Sequence, residues 1–277
     1  MSALSSAITL TGLFIYPVKS LGGISLPAAD LTPQGLRHDR RWLIVDGNNR
    51  FLTQREHAEM ALLAVEPAYN GFLLRHQQRP DLLPLYVPFE ATPEKTLFVT
   101  IWDDMVFAWR GAKEADEWLS EALGRACKLV YMSDMVRREV EPDKPELNPA
   151  GTLVSFADGY PYLLASEESL AKLNAQLAES VPMNRFRPNL VVRGVAADAE
   201  TQWTDFQIAG QTFRSVRGCG RCFVTTIDQA TAQKNPATEP LRTLATYRKQ
   251  GNKIMFGQNV TGPTSGRVQV GDAVVLG

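Results

Sequence analysis

Short apolar runs of β-branched and aromatic residues, separated by Gly, Asp and Asn, dominate the hydrophobic pattern of this chain. In the first run, residues 8–16, threonine and glycine interrupt the apolar positions after too few residues to span a bilayer, which predicts a strand. Four further places predict two strands joined by a turn, because their turn residues tolerate positive φ. The predicted turns are Asp46-Gly47-Asn48-Asn49, Asp103-Asp104, Ala209-Gly210 and Gly271-Asp272. The strands predicted around the first three are 41–45 and 50–53, 96–102 and 105–109, and 203–208 and 211–216. This pattern is typical of barrels and sandwiches.

Two segments instead carry the three- and four-residue spacing of amphipathic helices. One helix is predicted to begin after Ser166, whose hydroxyl can cap it, with Glu167 and Glu168 at the positive end of its dipole. Its apolar positions are Leu170, Leu173 and Leu177. The other helix is predicted over residues 113–123, with Gly124 as its C-terminal stop. The predicted fold class is therefore α+β and predominantly β, with a few helices packed on the sheets.

Composition and charge narrow the function before any motif is considered. The 277 residues are 44% hydrophobic and 21% charged, which suits one large domain or two packed ones. Lys and Arg total 29 against 30 Asp and Glu, so overall charge gives no reason to expect nucleic acid or a membrane surface as a partner. No window approaches about 18 uninterrupted apolar residues, and three cysteines cannot form a disulfide framework. We therefore expect a cytoplasmic protein without a membrane span.

Two cysteines, Cys219 and Cys222, carry the strongest chemical signal. They are predicted to lie on a glycine-containing turn, with Arg217 and Arg221 beside them, ahead of the β-prone run 223–227. Neighbouring guanidinium groups favour the thiolate, which is the form that acts as a nucleophile or a soft metal ligand. Three alternatives remain open: a zinc site, which would need further ligands; a thioredoxin-type dithiol, which would normally open a helix; and two inert buried thiols.

Basic residues recur in three other short segments, around Lys19-Ser20, Asp39-Arg40 and Arg187-Pro188-Asn189. Each alone is typical of ordinary surface charge, so several must converge to bind a phosphorylated ligand. Lys19 and Ser20 have no glycine-rich loop before them, which excludes a P-loop. Asp158 lies in an Asp-Gly turn, where its carboxylate either handles a proton or only shapes the turn.

Taken together, five segments in this order resemble the MOSC family, and within it the bacterial counterparts of the mitochondrial amidoxime-reducing component. The segments are 16–20, 156–161, 187–189, 219–226 and 256–259. The resemblance implies a MOSC-type β-barrel preceded by an N-terminal β-barrel-like domain. It implies domains over 1–130 and 148–277, with the first strands also lining the cofactor cleft. The charged, proline-interrupted region within 131–147 then becomes a connecting loop, either a solvated linker or an active-site lid.

The same resemblance implies the site. A molybdenum ion would be held by the dithiolene of molybdopterin and by Cys222, and Cys219 would be dispensable. The residues implied to bind the phosphate and pterin are Lys19, Ser20, Arg40, Arg187 and Asn189, assisted by the backbone of Gly220 and Arg221. Asp158 matches an acidic residue close to the metal. Gly159 and Tyr160 depart from the threonine and serine of the mitochondrial members. We also expect Lys19 and Arg187 to face one cavity.

The implied activity is the two-electron reduction of N-hydroxylated compounds, such as hydroxylamines and amidoximes, which is a detoxification. The electrons would come from a separate donor such as a ferredoxin or a flavin reductase. Two alternative functions, in which the protein does not reduce a substrate, remain open: a molybdopterin-binding carrier and a sulfur-transfer module. The second is less favoured, because a chain of this length does not include a pyridoxal-phosphate domain.

Overall fold

The computed structural model describes residues 7–92, 95–140 and 151–277, and these residues form nineteen β-strands and three α-helices. The strands are β1 (Thr9–Ile15), β2 (Ile24–Leu26), β3 (Ala28–Thr32), β4 (Gly35–Leu36), β5 (Trp42–Asp46), β6 (Leu63–Ala68), β7 (Gly71–His76), β8 (Leu85–Pro88), β9 (Thr96–Ile101), β10 (Asp104–Arg110), β11 (Cys127–Tyr131), β12 (Tyr162–Ser166), β13 (Leu190–Arg193), β14 (Asp205–Ile208), β15 (Gln211–Arg221), β16 (Lys249–Gln250), β17 (Lys253–Thr261), β18 (Arg267–Gln269) and β19 (Val274–Leu276). The helices are α1 (Lys113–Leu123), α2 (Glu167–Asn174) and α3 (Leu241–Ala245). Short 3-10 helices cover Ala58–Leu62, Met183–Arg185, Ala199–Gln202 and Phe223–Thr226. The predicted predominance of β-structure is confirmed; part of the predicted connection, 141–147, lies outside the described residues.

The largest sheet closes on itself. Its strands follow the order β19-β14-β15-β17-β12-β13-β1-β2, with β16 paired to β17. Backbone bonds join its ends, because the amide of Leu10 donates to the carbonyl of Asp272 at 2.9 Å and the amide of Val274 donates to that of Ile8 at 2.8 Å. Closure leaves few free strand edges and encloses a core of aliphatic and aromatic side chains. The first strand of the chain is therefore part of the same barrel as the last.

A second, smaller barrel is built from the sheet β5-β11-β10-β9. Residues Arg50 and Phe51 close it, because Arg50 bridges to Thr100 of β9 and Phe51 bridges to Val45 of β5. The predicted strand 50–53 is thus reduced to isolated bridges. Phe51 packs into an apolar core made by the inner faces of the four strands. Two three-stranded sheets, β18-β3-β4 and β6-β7-β8, complete the described strands.

Both predicted helices are present. α1 spans the predicted residues and ends at Gly124, whose left-handed φ of 63° needs no Cβ. α2 is capped by Ser166, whose hydroxyl oxygen accepts from the amide of Ser169 at 3.1 Å. This helix ends at Asn174, so Leu177 lies beyond it, although its side chain still packs on the same cluster as Leu173.

The predicted hairpins have mixed outcomes. β14 and β15 pair around Ala209-Gly210 as predicted, and β9 and β10 pair around Trp102-Asp103, one residue earlier than predicted. The prediction for Gly271-Asp272 is wrong, because β18 pairs with β3 while β19 pairs with β14. The reason is tertiary: the backbone of both turn residues bonds to Leu10 and so serves the closure of the large barrel.

The segment after Cys222 also differs from expectation. The cysteines were expected on a turn before a strand, but Cys219 lies within β15 and the β-prone residues Phe223–Thr226 form a 3-10 helix. The Thr225 hydroxyl donates to the Cys222 carbonyl at 3.0 Å, and the Thr226 hydroxyl donates to the Phe223 carbonyl at 2.7 Å. Threonine hydroxyls that bond to local carbonyls compete with strand pairing, and here they prevail.

The closure of the small barrel can be tested at Phe51, which is 5% exposed. Phe51→Ala should lower the free energy of unfolding by about 3–5 kcal/mol, because it leaves a cavity in the core. Phe98 of β9 is 59% exposed and serves as the matched control. Phe98→Ala should lose at most about 1.5 kcal/mol, the value of its edge contact with Phe107. Urea unfolding of both variants gives the comparison, and equal losses would contradict a core position for Phe51.

Candidate functional site

The loops that carry the predicted basic residues meet at the ends of three neighbouring strands. β1 runs antiparallel to β13, so the residues that follow β1 lie against those that precede β13. The amide of Phe14 donates to the carbonyl of Asn189 at 2.9 Å, and the amide of Asn189 donates to the carbonyl of Leu163 in β12 at 2.8 Å. The segments around Lys19, Arg187 and Asp158 are therefore adjacent although far apart in sequence.

Two guanidinium groups converge on one aromatic ring. Arg40 and Arg187 lie 4.3 Å and 4.2 Å from the ring centroid of Tyr16. The Tyr16 hydroxyl donates to the carbonyl of Pro188, and burial raises its pKa to about 12. Burial and the neighbouring Arg40 lower the pKa of Arg187 to about 10. Two like charges held this close favour an anion between or beside them.

Arg40 is held in place by several acceptors. Its guanidinium donates to Asp39 at 2.5 Å, to the side-chain oxygen of Asn189 at 3.0 Å and to the carbonyl of Arg187 at 3.2 Å. The buried Asn189 also donates to the carbonyl of Phe14 and accepts from the amide of Leu163. The side-chain amide of Asn189 was predicted to contact the cofactor. In the structure its hydrogen bonds go to protein groups, and it positions Arg40.

Backbone strain accompanies this cluster. Three residues predicted to bind the cofactor have left-handed φ values: Ser20 at 68°, Arg40 at 48° and Arg187 at 55°. Such a conformation costs a non-glycine residue roughly 1 kcal/mol or more, and it persists where the surroundings over-determine it. Strain at three predicted ligand residues is typical of a functional site.

Lys19 and Asp158 form the central ion pair. Lys19 is 6% exposed, and its ammonium group donates to the carbonyl of Phe156 at 2.8 Å and to a carboxylate oxygen of Asp158. Burial lowers the pKa of Lys19 to about 8, against the opposing attraction of Asp158. Burial alone would raise the pKa of Asp158, but Lys19 and Arg55 hold it well below its usual range. The Asp158 side chain is 59% exposed, so water screens this attraction without changing its direction.

Arg55 connects this ion pair to the thiol of Cys222. Its Nε donates to Cys222 Sγ at 3.2 Å, and its Nη2 donates to the second oxygen of Asp158 at 3.2 Å. Arg55 was not predicted as a site residue, because it lies in no sequence motif and meets Cys222 across 167 residues. The only signal in the sequence was its place two residues after the predicted strand 50–53.

Of the two arginines next to the cysteines in sequence, Arg221 contacts the other thiol, whereas Arg217 lies over the ring of Tyr160. Arg221 donates to Cys219 Sγ at 3.0 Å and to the carbonyl of Phe186 at 2.7 Å. Arg221 Nε is buried without a hydrogen-bond partner among the described residues. Gly220 belongs to β15, and a Cβ there would meet the Lys253 side chain at 3.2 Å. The expected basic environment of Cys222 is real, but Arg55 supplies it.

A cavity of about 1180 Å³ opens beside these residues. Both halves of the chain line it, including Arg55 and Trp102 from the first half and Asp158, Cys219 and Arg221 from the second. Gly159 and Tyr160, the two positions that depart from the mitochondrial pattern, also line it. Neither Lys19 nor Arg187 lines this cavity, because their side chains donate to the backbone carbonyls of Phe156 and Leu21. That the two residues face one common cavity stays a prediction. Lys19 reaches the cavity wall through Asp158.

The charge balance of the site fits an anionic group. Two carboxylates, Asp39 and Asp158, contact a larger set of cations. The cations of the site are Lys19, Arg40, Arg55, Arg187 and Arg221. A buried positive excess is unfavourable unless a ligand balances it. No group of three or more His, Cys, Asp or Glu able to hold a metal occurs among the described residues.

Scaffold and site together define a β-barrel protein with a thiol beside a cluster of cations. Residues 152–275 match the model of the MOSC domain, and residues 7–126 match that of the MOSC N-terminal beta barrel domain. The chain belongs to the MOSC family, as the resemblance predicted.

The chain is similar to proteins of two kinds. The chain is 30% identical to mitochondrial amidoxime-reducing component 1 of Mus musculus, over 97% of this chain and 82% of the relative. It is 29% identical to the protein of the same name from Homo sapiens, with the same coverage. It is 32% identical to the molybdenum cofactor sulfurase of Oryza sativa subsp. japonica, over 91% of this chain but only 32% of that relative's length.

Among solved structures, YiiM from Geobacillus stearothermophilus aligns over 43% of this chain and 54% of that chain. It is 12% identical with a TM-score of 0.33, a similarity too low to carry a structural argument. Within the described part of the chain, every helix is too short or too polar to cross a membrane.

Anion binding can be tested without any cofactor. Inorganic pyrophosphate at about 100 times its Kd should raise the melting temperature of cofactor-free protein by about 5–10 °C, because it binds only the folded state. Arg187→Met should abolish this shift, since it removes one of the two stacked guanidinium groups. Arg75→Met is the control, because Arg75 is an exposed partner of Glu66. Equal shifts in both variants would contradict a site at Arg187.

Proposed function

We propose that this chain is a molybdenum-cofactor-dependent oxidoreductase that reduces N-hydroxylated compounds by two electrons from a separate redox protein. The observation that carries the proposal is the contact series from Lys19 through Asp158 and Arg55 to the Cys222 thiol, at the edge of an anion-binding pocket. The series joins a soft sulfur donor to a cation that can give up a proton, and its middle members, Asp158 and Arg55, line a large cavity. The similarity to amidoxime-reducing components supports the same reaction class.

The residues of the pocket fit molybdopterin. Its phosphate is an anion, and the positive excess around Arg40 and Arg187 is suited to bind it. Lys19, Ser20 and the backbone around Gly220 and Arg221 contribute further donors, while Asn189 orients Arg40. Cys222 supplies the thiolate for molybdenum, which accepts soft sulfur donors. When bound, the cofactor supplies the two electrons that cleave the N–O bond of the substrate.

Lys19 is the proton source of the site, and Asp158 is its partner. We expected Asp158 itself to handle the proton, but two contacting cations keep this carboxyl ionised at neutral pH. Lys19, with a pKa of about 8, is protonated at neutral pH and still gives up a proton readily. Asp158 therefore holds Lys19 in place as its counter-ion at the cavity wall. Cleavage of the N–O bond by two electrons consumes two protons, one on the oxygen that departs as water and one on the nitrogen; Lys19 supplies one of them and solvent supplies the other.

A second candidate is a role in binding or sulfurating the cofactor without turnover. It is favoured by the second thiol in the cavity wall, Cys219, with Arg221 beside it, and by the similarity to a molybdenum cofactor sulfurase. Chemically reduced holoprotein mixed with benzamidoxime distinguishes the two. Release of benzamidine supports the reductase, whereas unchanged benzamidoxime supports the carrier or sulfur-transfer role. A ferredoxin or a flavin reductase can then be compared as donors.

The metal ligand is tested with the two cysteines as a matched pair. Cys222→Ser should abolish activity and change the electron paramagnetic resonance signal of Mo(V), because the thiolate donor is lost. Cys219→Ser should keep most of the activity. Equal losses from both substitutions would instead favour a dithiol or a zinc site.

The assignment of Lys19 as proton source predicts a pH profile. The turnover number should fall as pH rises through about 8, because Lys19 loses its proton there. In Asp158→Asn the descending limb should move to lower pH, since the carboxylate that raises the pKa of Lys19 is gone. Lys19→Met should remove the descending limb of the pH profile and lower the turnover number by about 10²–10⁴-fold. Molybdenum-matched samples at saturating substrate give these values, and an unmoved limb in Asp158→Asn would exclude Lys19.

A further inference from the structure

We propose that Arg55, clamped by Trp102, is a positioning residue that donates a hydrogen bond to the Cys222 thiolate and thereby sets the reduction potential of the metal bound there. This inference depends on the proposed function only for the assignment of Cys222 as the molybdenum ligand. It assigns a task to two residues of the first half of the chain, neither of which was expected in the site.

The planar guanidinium group of Arg55 contacts both Cys222 and Asp158. Arg55 Nε and Nη2 belong to the same guanidinium plane, and they reach Cys222 Sγ and Asp158 Oδ2, each at 3.2 Å. Because a guanidinium presents its donors in a fixed fork, the sulfur and the carboxylate are held at a fixed spacing. A lysine, which is a point charge on a flexible stem, cannot reproduce this double contact.

Trp102 restricts Arg55 from the opposite side. The Arg55 guanidinium lies 4.4 Å from the centroid of the Trp102 ring, and Phe51 supports the same ring at 4.8 Å. Trp102 is the first residue of the β9–β10 turn and has a φ of 54°, which such turns usually give to Gly, Asn or Asp. A bulky residue in this strained position indicates that its side chain is needed where the turn places it.

The charge of Arg55 acts on the sulfur of Cys222. Arg55 is a cation, because a guanidinium group stays protonated in proteins. A charged donor on a ligating thiolate withdraws electron density from the metal and stabilises its reduced, more electron-rich state. Cys219 has its own arginine, Arg221, so the effect of Arg55 is specific to Cys222.

The test is a redox titration of the full-length holoenzyme, followed by the Mo(V) resonance signal and corrected for molybdenum content. Arg55→Met should shift the redox equilibrium about tenfold toward the oxidised metal, which is about 59 mV lower for a one-electron step. Arg75→Met, which removes an exposed arginine paired with Glu66, should leave the potential unchanged.

Two further variants keep the proposal testable if Arg55→Met does not load molybdenum. Trp102→Gly suits the positive φ and so preserves the turn, but it frees Arg55 and should lower the potential by less than Arg55→Met. Arg55→Lys keeps the charge without the fork and should also give an intermediate value. If every variant that loads molybdenum has the wild-type potential, the proposal is overturned.

The outcome is separable from the proposed function. Reduction of benzamidoxime by the wild-type protein is measured independently of the potential. A shifted potential in Arg55→Met without turnover by the wild type supports the role of Arg55 and rejects the reductase. Turnover by the wild type with an unshifted potential in the loaded variants supports the reductase and rejects the role of Arg55.

Discussion

The ion pair between Lys19 and Asp158 determines where the rest of the site lies. A buried ammonium group is tolerated only when a counter-ion is fixed beside it, and the loop before β12 supplies that carboxylate. The second oxygen of Asp158 accepts from Arg55, which in turn contacts Cys222. One carboxylate thus fixes the relative positions of a residue after β1, a loop of the small barrel and the end of β15. The barrels provide the frame, and this charge network aligns them at the cavity.

Local sequence signals explain one part of this site and not the other. Lys19, Arg187 and Cys222 lie in short motifs, so a family resemblance was enough to single them out. Arg55 has no such signal, because its importance arises only when the small barrel brings it to a thiol 167 residues away. The same limit explains why the basic neighbours of Cys222 in sequence were misassigned: strand β15 turns Arg221 toward Cys219.

In the fold, too, some features follow from local sequence and others from contacts elsewhere in the structure. The bounds of α1 and the turn at Ala209-Gly210 follow from capping and turn chemistry, which act within a few residues. The turn at Gly271-Asp272 does not form the predicted hairpin, because its backbone bonds to the distant Leu10. Phe223–Thr226 forms a helix, because threonine hydroxyls bonded to nearby carbonyls outweigh the β-preference of the segment. Sequence patterns therefore predicted the elements better than the way in which the barrels close.

Closure of the large barrel by Leu10 and Asp272 has a consequence for the ribosome-bound chain. β1 is made early, yet its neighbour β13 lies about 180 residues further on, and the closing segment lies later still. Until both have emerged, β1 is paired only with the short strand β2 and keeps its other edge open, although the small barrel already has all its strands. Long-range pairing of this kind folds slowly and exposes the chain to aggregation. The growing chain thus has to shelter one edge of β1 until β13 has been made.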